Sequence, residues 1–299
     1  MATACCLAAC GAGGRDGTTQ ALQPAPGAGD FDAQRAFRDL RAQVAIGPRP
    51  TGSAGSRREL DLIVSRLRSA GVHDVTIQHP HRNVIGRIPG RQAGTVVVGA
   101  HYDTKDIPGF VGANDGASGV AVVLELARAL PPRLDGPSID LVLFDGEESP
   151  RGTSFESGGD RGSRQFVRYA RQGGAQGSPP LGELQALVLF DMVGDCDLHV
   201  PREANSNAGL YGLFADAATA HSPSGSSEPF EGDAAGVLDD HTPFLQAGVP
   251  AVDLIDFDYG PGPSPGAWWH TRRDDLEHVC ARSLGAVGNA AVAALPEIR

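Results

Sequence analysis

Lysine is almost missing from this 299-residue chain: Lys105 is the only one, and arginine supplies the rest of the 25 basic side chains. Against 36 Asp and Glu the formal charge is −11, which excludes a nucleic-acid-binding surface, because phosphate recognition needs clustered Lys and Arg. Cysteine is also scarce. Three of the five, Cys5, Cys6 and Cys10, lie in the first ten residues, and Cys196 and Cys280 are isolated. No Cys-x-x-Cys spacing occurs, so a thiolate zinc site is excluded. No apolar run is long enough to cross a bilayer as a helix. The abundant Ala, Gly and Pro, with Arg in place of Lys, read as coding bias of a GC-rich genome and carry no functional weight.

Hydrophobic residues make up 41% of the chain, enough for one large α/β domain over residues 30–299. The leading segment 1–29 is different in kind. Leu7-Ala8-Ala9-Cys10-Gly11 resembles the lipobox of bacterial lipoprotein signal peptides, which implies lipidation at Cys10. The stretch Gly11 to Asp30, rich in Gly, Ala, Thr and Pro, is then a flexible tether, and the protein is expected to be extracytoplasmic, anchored at the periplasmic or cell surface.

Asp30 is placed to cap a helix carrying Phe37, Leu40 and Val44, stopped by Gly47-Pro48-Arg49-Pro50. Leu60, Ile63, Val64 and Leu67 mark a second helix ending near Gly71, a residue suited to a left-handed cap. Strands are predicted at 74–78, 84–88 and 95–100, then a helix with Val120, Val123, Leu124, Ala127 and Leu130 on its stripe, closed by Pro131-Pro132. The pattern recurs with a strand at 139–144, a helix at 162–170, a strand at 186–190, a helix near 210–220, a strand at 249–255 and a final helix from about Asp275. Residues 173–180 and 221–236 read as surface loops. Strands alternating with helices imply a three-layer α/β/α sandwich around a mixed, mostly parallel sheet.

His101, Asp115, the Glu147-Glu148 pair and Asp191 all fall just after buried strands. Ligands gather at the carboxyl ends of such strands. Singly, each residue has an ordinary reading: a helix cap for Asp115, a solvated turn for the glutamates, structural hydrogen bonding for His101 and His270, packing for the two tryptophans. Together they form a mixed imidazole and carboxylate set of the kind a catalytic zinc accepts. Adjacent Glu147 and Glu148 cannot point the same way, so one can ligate while its neighbour carries a proton.

The series His101-Tyr-Asp103, Asn114-Asp115-Gly-Ala-Ser-Gly119, Asp145-Gly-Glu147-Glu148, Asp191-Met-Val-Gly194, Asp240-His241-Thr-Pro-Phe244 and Trp269-His270-Thr271 resembles the zinc exopeptidases that include bacterial leucyl aminopeptidases and the related glutaminyl cyclases. The resemblance implies one zinc on His101, Asp115 and Asp191 and a second on Asp115, Glu148 and His270, with Asp115 bridging. It makes Glu147 the general base and lets Asp103 orient the His101 ring. Trp268 and Trp269, with His241, are expected to contact substrate, rimmed by the 149–160 and 260–266 loops. The substrates implied are peptides with a free N-terminus. The first reading is an aminopeptidase with two zinc ions. The alternative is a glutaminyl-peptide cyclotransferase with one zinc, in which Asp239 is a hydrogen-bonding partner in proton shuttling; a non-catalytic binding domain is the third. Pairing of Cys196 with Cys280 and the oligomeric state are left open by the sequence.

Overall fold

The computed structural model describes Met1, residues 29–222 and residues 225–299. Cys10 and nearly all of the expected tether lie outside the described residues. Within them, no helix is long and apolar enough to cross a membrane.

In chain order the elements are α1 (Ala33–Val44), α2 (Ala54–Ser69), β1 (Val75–Ile77), β2 (Val84–Ile88), β3 (Thr95–His101), α3 (Ala117–Ala129), β4 (Ser138–Phe144), α4 (Phe155–Gly158), α5 (Arg161–Arg171), β5 (Leu184–Asp191), β6 (Arg202–Glu203), α6 (Ala208–His221), β7 (Asp233–Ala234), α7 (Thr242–Gln246), β8 (Ala251–Ile255) and α8 (Ala281–Ala294). The main sheet runs β1-β2-β4-β3-β5-β8. β4, β3, β5 and β8 are mutually parallel, and β1 and β2 extend the sheet as antiparallel strands.

Alternation along each strand separates two apolar layers. Val96, Val98 and Ala100 of β3 join Val188 and Phe190 of β5 in the core beneath α1, α3, α6 and α8. Val97, Val142 and Leu187 point the other way, against Phe166 of α5 and Phe244 of α7. Each fully buried Val, Leu or Phe contributes about 1.5–3 kcal/mol, so a one-residue slip of β3 would invert both layers. Gly119 allows α3 to lie close on β5, since a Cβ there would collide with the Phe190 carbonyl oxygen.

Several boundaries differ from expectation. The cap of α1 is Asp32, whose carboxylate accepts the Arg35 N–H, rather than Asp30. Asp115 caps nothing: α3 starts from Gly116 at φ 99° with no side-chain cap. The last helix begins at Ala281, because the Asp275 carboxylate closes a tight turn on the Glu277 N–H instead. The 221–236 segment is not all loop, since β7 pairs with β6.

Cys196 and Cys280 form a disulfide across 84 residues of chain, joining the loop after β5 to the start of α8. Replacing both by alanine is expected to lower stability by about 2–5 kcal/mol, the range for long closed loops. Denaturant unfolding of the double variant against the oxidised parent checks this; equal midpoints would contradict it.

Candidate active site

His101 ends β3, Asp145 to Glu148 follow β4, and Asp191 ends β5. Because β4 and β5 flank β3 on opposite sides, these residues meet where the connections diverge, the usual crevice of open parallel sheets. Asp115 arrives from the loop before α3, and His270 from the loop before α8.

Two sets of three ligand atoms form here, His101–Asp115–Asp191 and Asp115–Glu148–His270, each with its donors within 4.8 Å of one another. In the first, His101 Nε2 lies 3.4 Å from Asp115 Oδ1 and 3.1 Å from Asp191 Oδ1. In the second, His270 Nε2 lies 3.3 Å from Asp115 Oδ2 and 3.1 Å from Glu148 Oε1. Donors about 2.0–2.1 Å from a tetrahedral zinc stand roughly 3.3–3.4 Å apart, so both sets fit the ion. Asp115 gives one oxygen to each. Burial opposes ionisation of Asp115, but hydrogen bonds from His101 and His270 hold its carboxyl well below the usual range. His270, though disfavoured as a cation by burial, is pushed up to about 9 by Asp115 and Glu148.

Glu147 faces the cleft without belonging to either set. Burial above all, then the nearby carboxylates of Glu148, Asp240 and Asp191, push its carboxyl well above the usual range against the opposing His101. Asp239 and Asp160 gather around Glu147 with oxygen atoms within 4.8 Å.

The supports differ from those read in the sequence. Asp103 does not hydrogen-bond the His101 ring, which lies 3.8 Å away through Nδ1. Its carboxylate instead accepts the backbone N–H groups of Gly146, Glu147 and Glu148 at 2.9, 3.1 and 3.3 Å, holding the turn that aims the two glutamates apart. Lys105 donates to Glu148 Oε2 at 2.7 Å and to Ser149 Oγ at 3.0 Å. That leaves Glu148 Oε1 for His270 and the metal. Asp274, which no motif marked, accepts the N–H groups of Asn114 and Asp115 at 2.6 and 3.1 Å and the Tyr259 hydroxyl at 3.1 Å. It anchors the loop that presents Asp115.

An Asp274→Asn change puts an amide NH₂ where one of those N–H groups needs an acceptor. Zinc affinity is expected to fall about 10–100-fold, as for other partners that orient a ligand; competition with a chelator measures it, and unchanged affinity would rule out the anchoring role.

The cleft has a volume of about 490 Å³ and is lined by the donors Asp115, Glu148, Asp191 and His270, with Glu147, Asp239, Lys105 and an apolar wall of Phe155, Val237, Leu238, Phe257 and Trp269. Trp269 stacks on His270 with ring centroids 3.8 Å apart, and His270 itself adopts a left-handed backbone at φ 54°. Ser149 and Phe155 line the cleft as expected of their loop. Trp268 does not: the alternation of the chain turns it away, against Tyr259 and His278. Gly260 and Pro261 border a separate hollow with Trp268 rather than the cleft rim. His241 is fully buried and also lies off the cleft wall, so the expected substrate contacts of Trp268 and His241 are not made there.

The model of peptidase family M28 matches residues 83–295. The chain belongs to peptidase family M28. Bovine glutaminyl-peptide cyclotransferase is 29% identical over 269 residues, covering 78% of this chain and 72% of that protein. A glutaminyl cyclase from an Acidobacteriales bacterium superposes with a TM-score of 0.78 at 32% identity, covering 94% of this chain and 99% of its own. A leucine aminopeptidase precursor from Bacteroides thetaiotaomicron shares the fold at a TM-score of 0.75 and 24% identity, covering 91% and 99%. This chain is therefore an enzyme of the M28 family, and its two donor sets suit zinc.

Proposed function

We propose that this M28 protein is a glutaminyl-peptide cyclotransferase, closing an N-terminal glutamine to pyroglutamate with release of ammonia. The observation that carries this is the group of buried carboxylates around Glu147, in which Asp239, which lines the cleft, and Asp160, which does not, stand beside it. Both reactions pass a proton from the attacking group to the leaving nitrogen, but in intramolecular aminolysis both nitrogens belong to one substrate, and a base backed by further buried acids suits that transfer. The sequence similarity to cyclases supports the same order.

One zinc on Asp115, Glu148 and His270 would polarise the γ-carbonyl of the glutamine side chain. Glu147 takes a proton from the substrate α-amine as its nitrogen bonds to the γ-carbon, then gives a proton to the amide nitrogen as that C–N bond breaks and ammonia leaves. Trp269 and Phe257, 5.4 Å apart edge to face, exclude water that would otherwise hydrolyse the amide. Lys105 keeps Glu148 to a single ligating oxygen.

A second reading is favoured by the complete first set, His101, Asp115 and Asp191: with two zinc ions the site would hydrolyse the N-terminal peptide bond, Glu147 again carrying the proton. A paired assay on zinc-reconstituted protein separates the two. Ammonia release with the matching mass loss from a glutaminyl peptide, without cleavage of a leucyl chromogenic amide, supports the cyclase; leucyl cleavage alone supports the aminopeptidase and overturns the first reading.

For location we propose an extracytoplasmic lipoprotein carrying its lipid on Cys10. The Cys196–Cys280 disulfide supports this, since such bonds persist in oxidising compartments. Loss of membrane association in a Cys10→Ser variant checks it.

A further inference from the structure

The connection between α1 and α2, read in the sequence only as the stop of a helix, grips both halves of the site from outside the cleft. Its residues Arg49 and Thr51 precede every motif of the site, and neither lines the cleft. Arg49 is 0% exposed. Its guanidinium ties the end of α1 to the loop that presents Asp115: Nη1 donates to the carbonyl oxygens of Gly47 at 3.2 Å and Val111 at 2.7 Å, and Nη2 to that of Gly112 at 3.1 Å. Gly112 in turn packs on Asp115, since a Cβ there would come within 2.3 Å of the Asp115 carbonyl oxygen. The Gly112 carbonyl also accepts the Ala117 N–H at 3.3 Å, so the stretch that Arg49 holds sets the turn from the loop into α3. The backbone of Arg49 adds a second grip, its N–H donating to Thr104 Oγ1 at 2.9 Å and its carbonyl accepting the Thr104 N–H at 3.3 Å.

Two residues on, the Thr51 hydroxyl donates to Asp103 Oδ2 at 3.0 Å and accepts from Arg161 Nη2 at 3.1 Å. These partners hold opposite sides of the turn that carries the glutamates. Asp103 takes the N–H groups of residues 146–148, and Arg161 donates to the Glu148 carbonyl oxygen at 3.0 Å. One hydroxyl therefore fixes both.

The fold alone does not call for an arginine at this place. A guanidinium taken fully out of water is among the costliest burials a side chain can make. Its ion pair with Glu59 spans 3.9 Å, too long for a hydrogen bond, and leaves Nε without an acceptor. A helix end can be closed by a glycine at no such cost. What an arginine adds is a rigid planar fork, whose N–H groups meet successive carbonyls at once.

We propose that Arg49 and Thr51 are positioning residues for the reaction: Arg49 sets the loop that aims Asp115 at both donor sets, and Thr51, through Asp103 and Arg161, sets the turn that parts Glu147 from Glu148. These roles rest on the two donor sets and on Glu147 as the proton carrier, common to both readings above. Asp115 follows β3 and Glu147 follows β4, so one short segment holds the shared ligand and the proton carrier in register although different strands deliver them.

Two substitutions in the full chain test this. Thr51→Val keeps the side-chain shape and removes only the hydroxyl. On zinc-loaded protein its kcat is expected to fall roughly 10- to 100-fold with KM within about twofold of the parent, the pattern of a misplaced catalytic group. Thr51→Ser restores the hydroxyl and is expected to recover most of the loss. A kcat unchanged in the valine variant, or lowered as far in the serine variant, overturns the role of Thr51. Arg49→Lys keeps the charge that faces Glu59 but loses the planar fork. Chelator competition is expected to show zinc bound about 10- to 100-fold more weakly, as when other partners that orient a ligand are lost; unchanged affinity overturns the role of Arg49. Should the parent turn over neither glutaminyl nor leucyl substrates, the functional reading fails by itself, and the zinc affinity of Arg49→Lys still decides whether Arg49 positions Asp115.

Discussion

Replacing Glu147 by glutamine is expected to lower kcat by about 10²- to 10⁴-fold, the contribution of a positioned general acid–base group, with zinc content unchanged. The side chain keeps its volume and its place beside Asp239 and Asp160, but loses the ability to take a proton from the attacking group and return it to the leaving nitrogen. Glu147 also lies outside both donor sets, so the metal has no reason to leave. Turnover and metal content measured on one preparation check this. If zinc is lost along with activity, the roles of Glu147 and Glu148 have been exchanged.

Asp115→Asn is expected to fail differently, losing metal and activity together. Asp115 alone contributes to both donor sets, each oxygen facing a different imidazole at 3.3–3.4 Å. An asparagine presents one weak carbonyl donor and an NH₂ that cannot ligate. Loss of a residue that merely orients a ligand weakens binding by about 10–100-fold, and loss of a shared ligand should exceed about 100-fold. The pH dependence of loading follows with a definite sign. His270 is pushed up to about 9 by Asp115 and Glu148, so near neutrality it carries a proton that metal must displace. Zinc affinity is expected to rise with pH up to that value, and calorimetry in buffers of different ionisation enthalpy should detect the released proton. A pH-independent affinity would contradict the assignment of His270.

The residues legible in the sequence are those that terminate a parallel strand. β3, β4 and β5 are buried on both faces towards their carboxyl ends, so the closing apolar runs 96–100, 141–144 and 186–190 are unbroken and the first ionisable residue after each stands out: His101, Asp145 and Asp191. What stayed hidden lacks any such marker. Asp274 sits in the polar turn Thr271-Arg272-Arg273-Asp274-Asp275, where one more aspartate is unremarked, and its value comes from two backbone groups 160 and 159 residues earlier. His241 counts as a substrate contact only through the resemblance of Asp240-His241-Thr-Pro-Phe244, and although Asp239 two residues earlier does reach the cleft, the His241 ring is fully buried. Trp268 failed for a related reason, since neighbours in an irregular segment face opposite ways.

The solitary lysine has a chemical consequence. Apart from the chain's α-amine, Lys105 offers the only primary amine, and it is hydrogen-bonded to Glu148, a carboxylate of the second donor set, at the cleft wall. Amine-directed acylation, usually a scattershot modification of protein surfaces, would here convert one ammonium into a neutral amide beside Glu148. A reagent sold for indiscriminate labelling would thus behave on this protein as an active-site-directed inactivator, and a bound substrate would shield the chain from it.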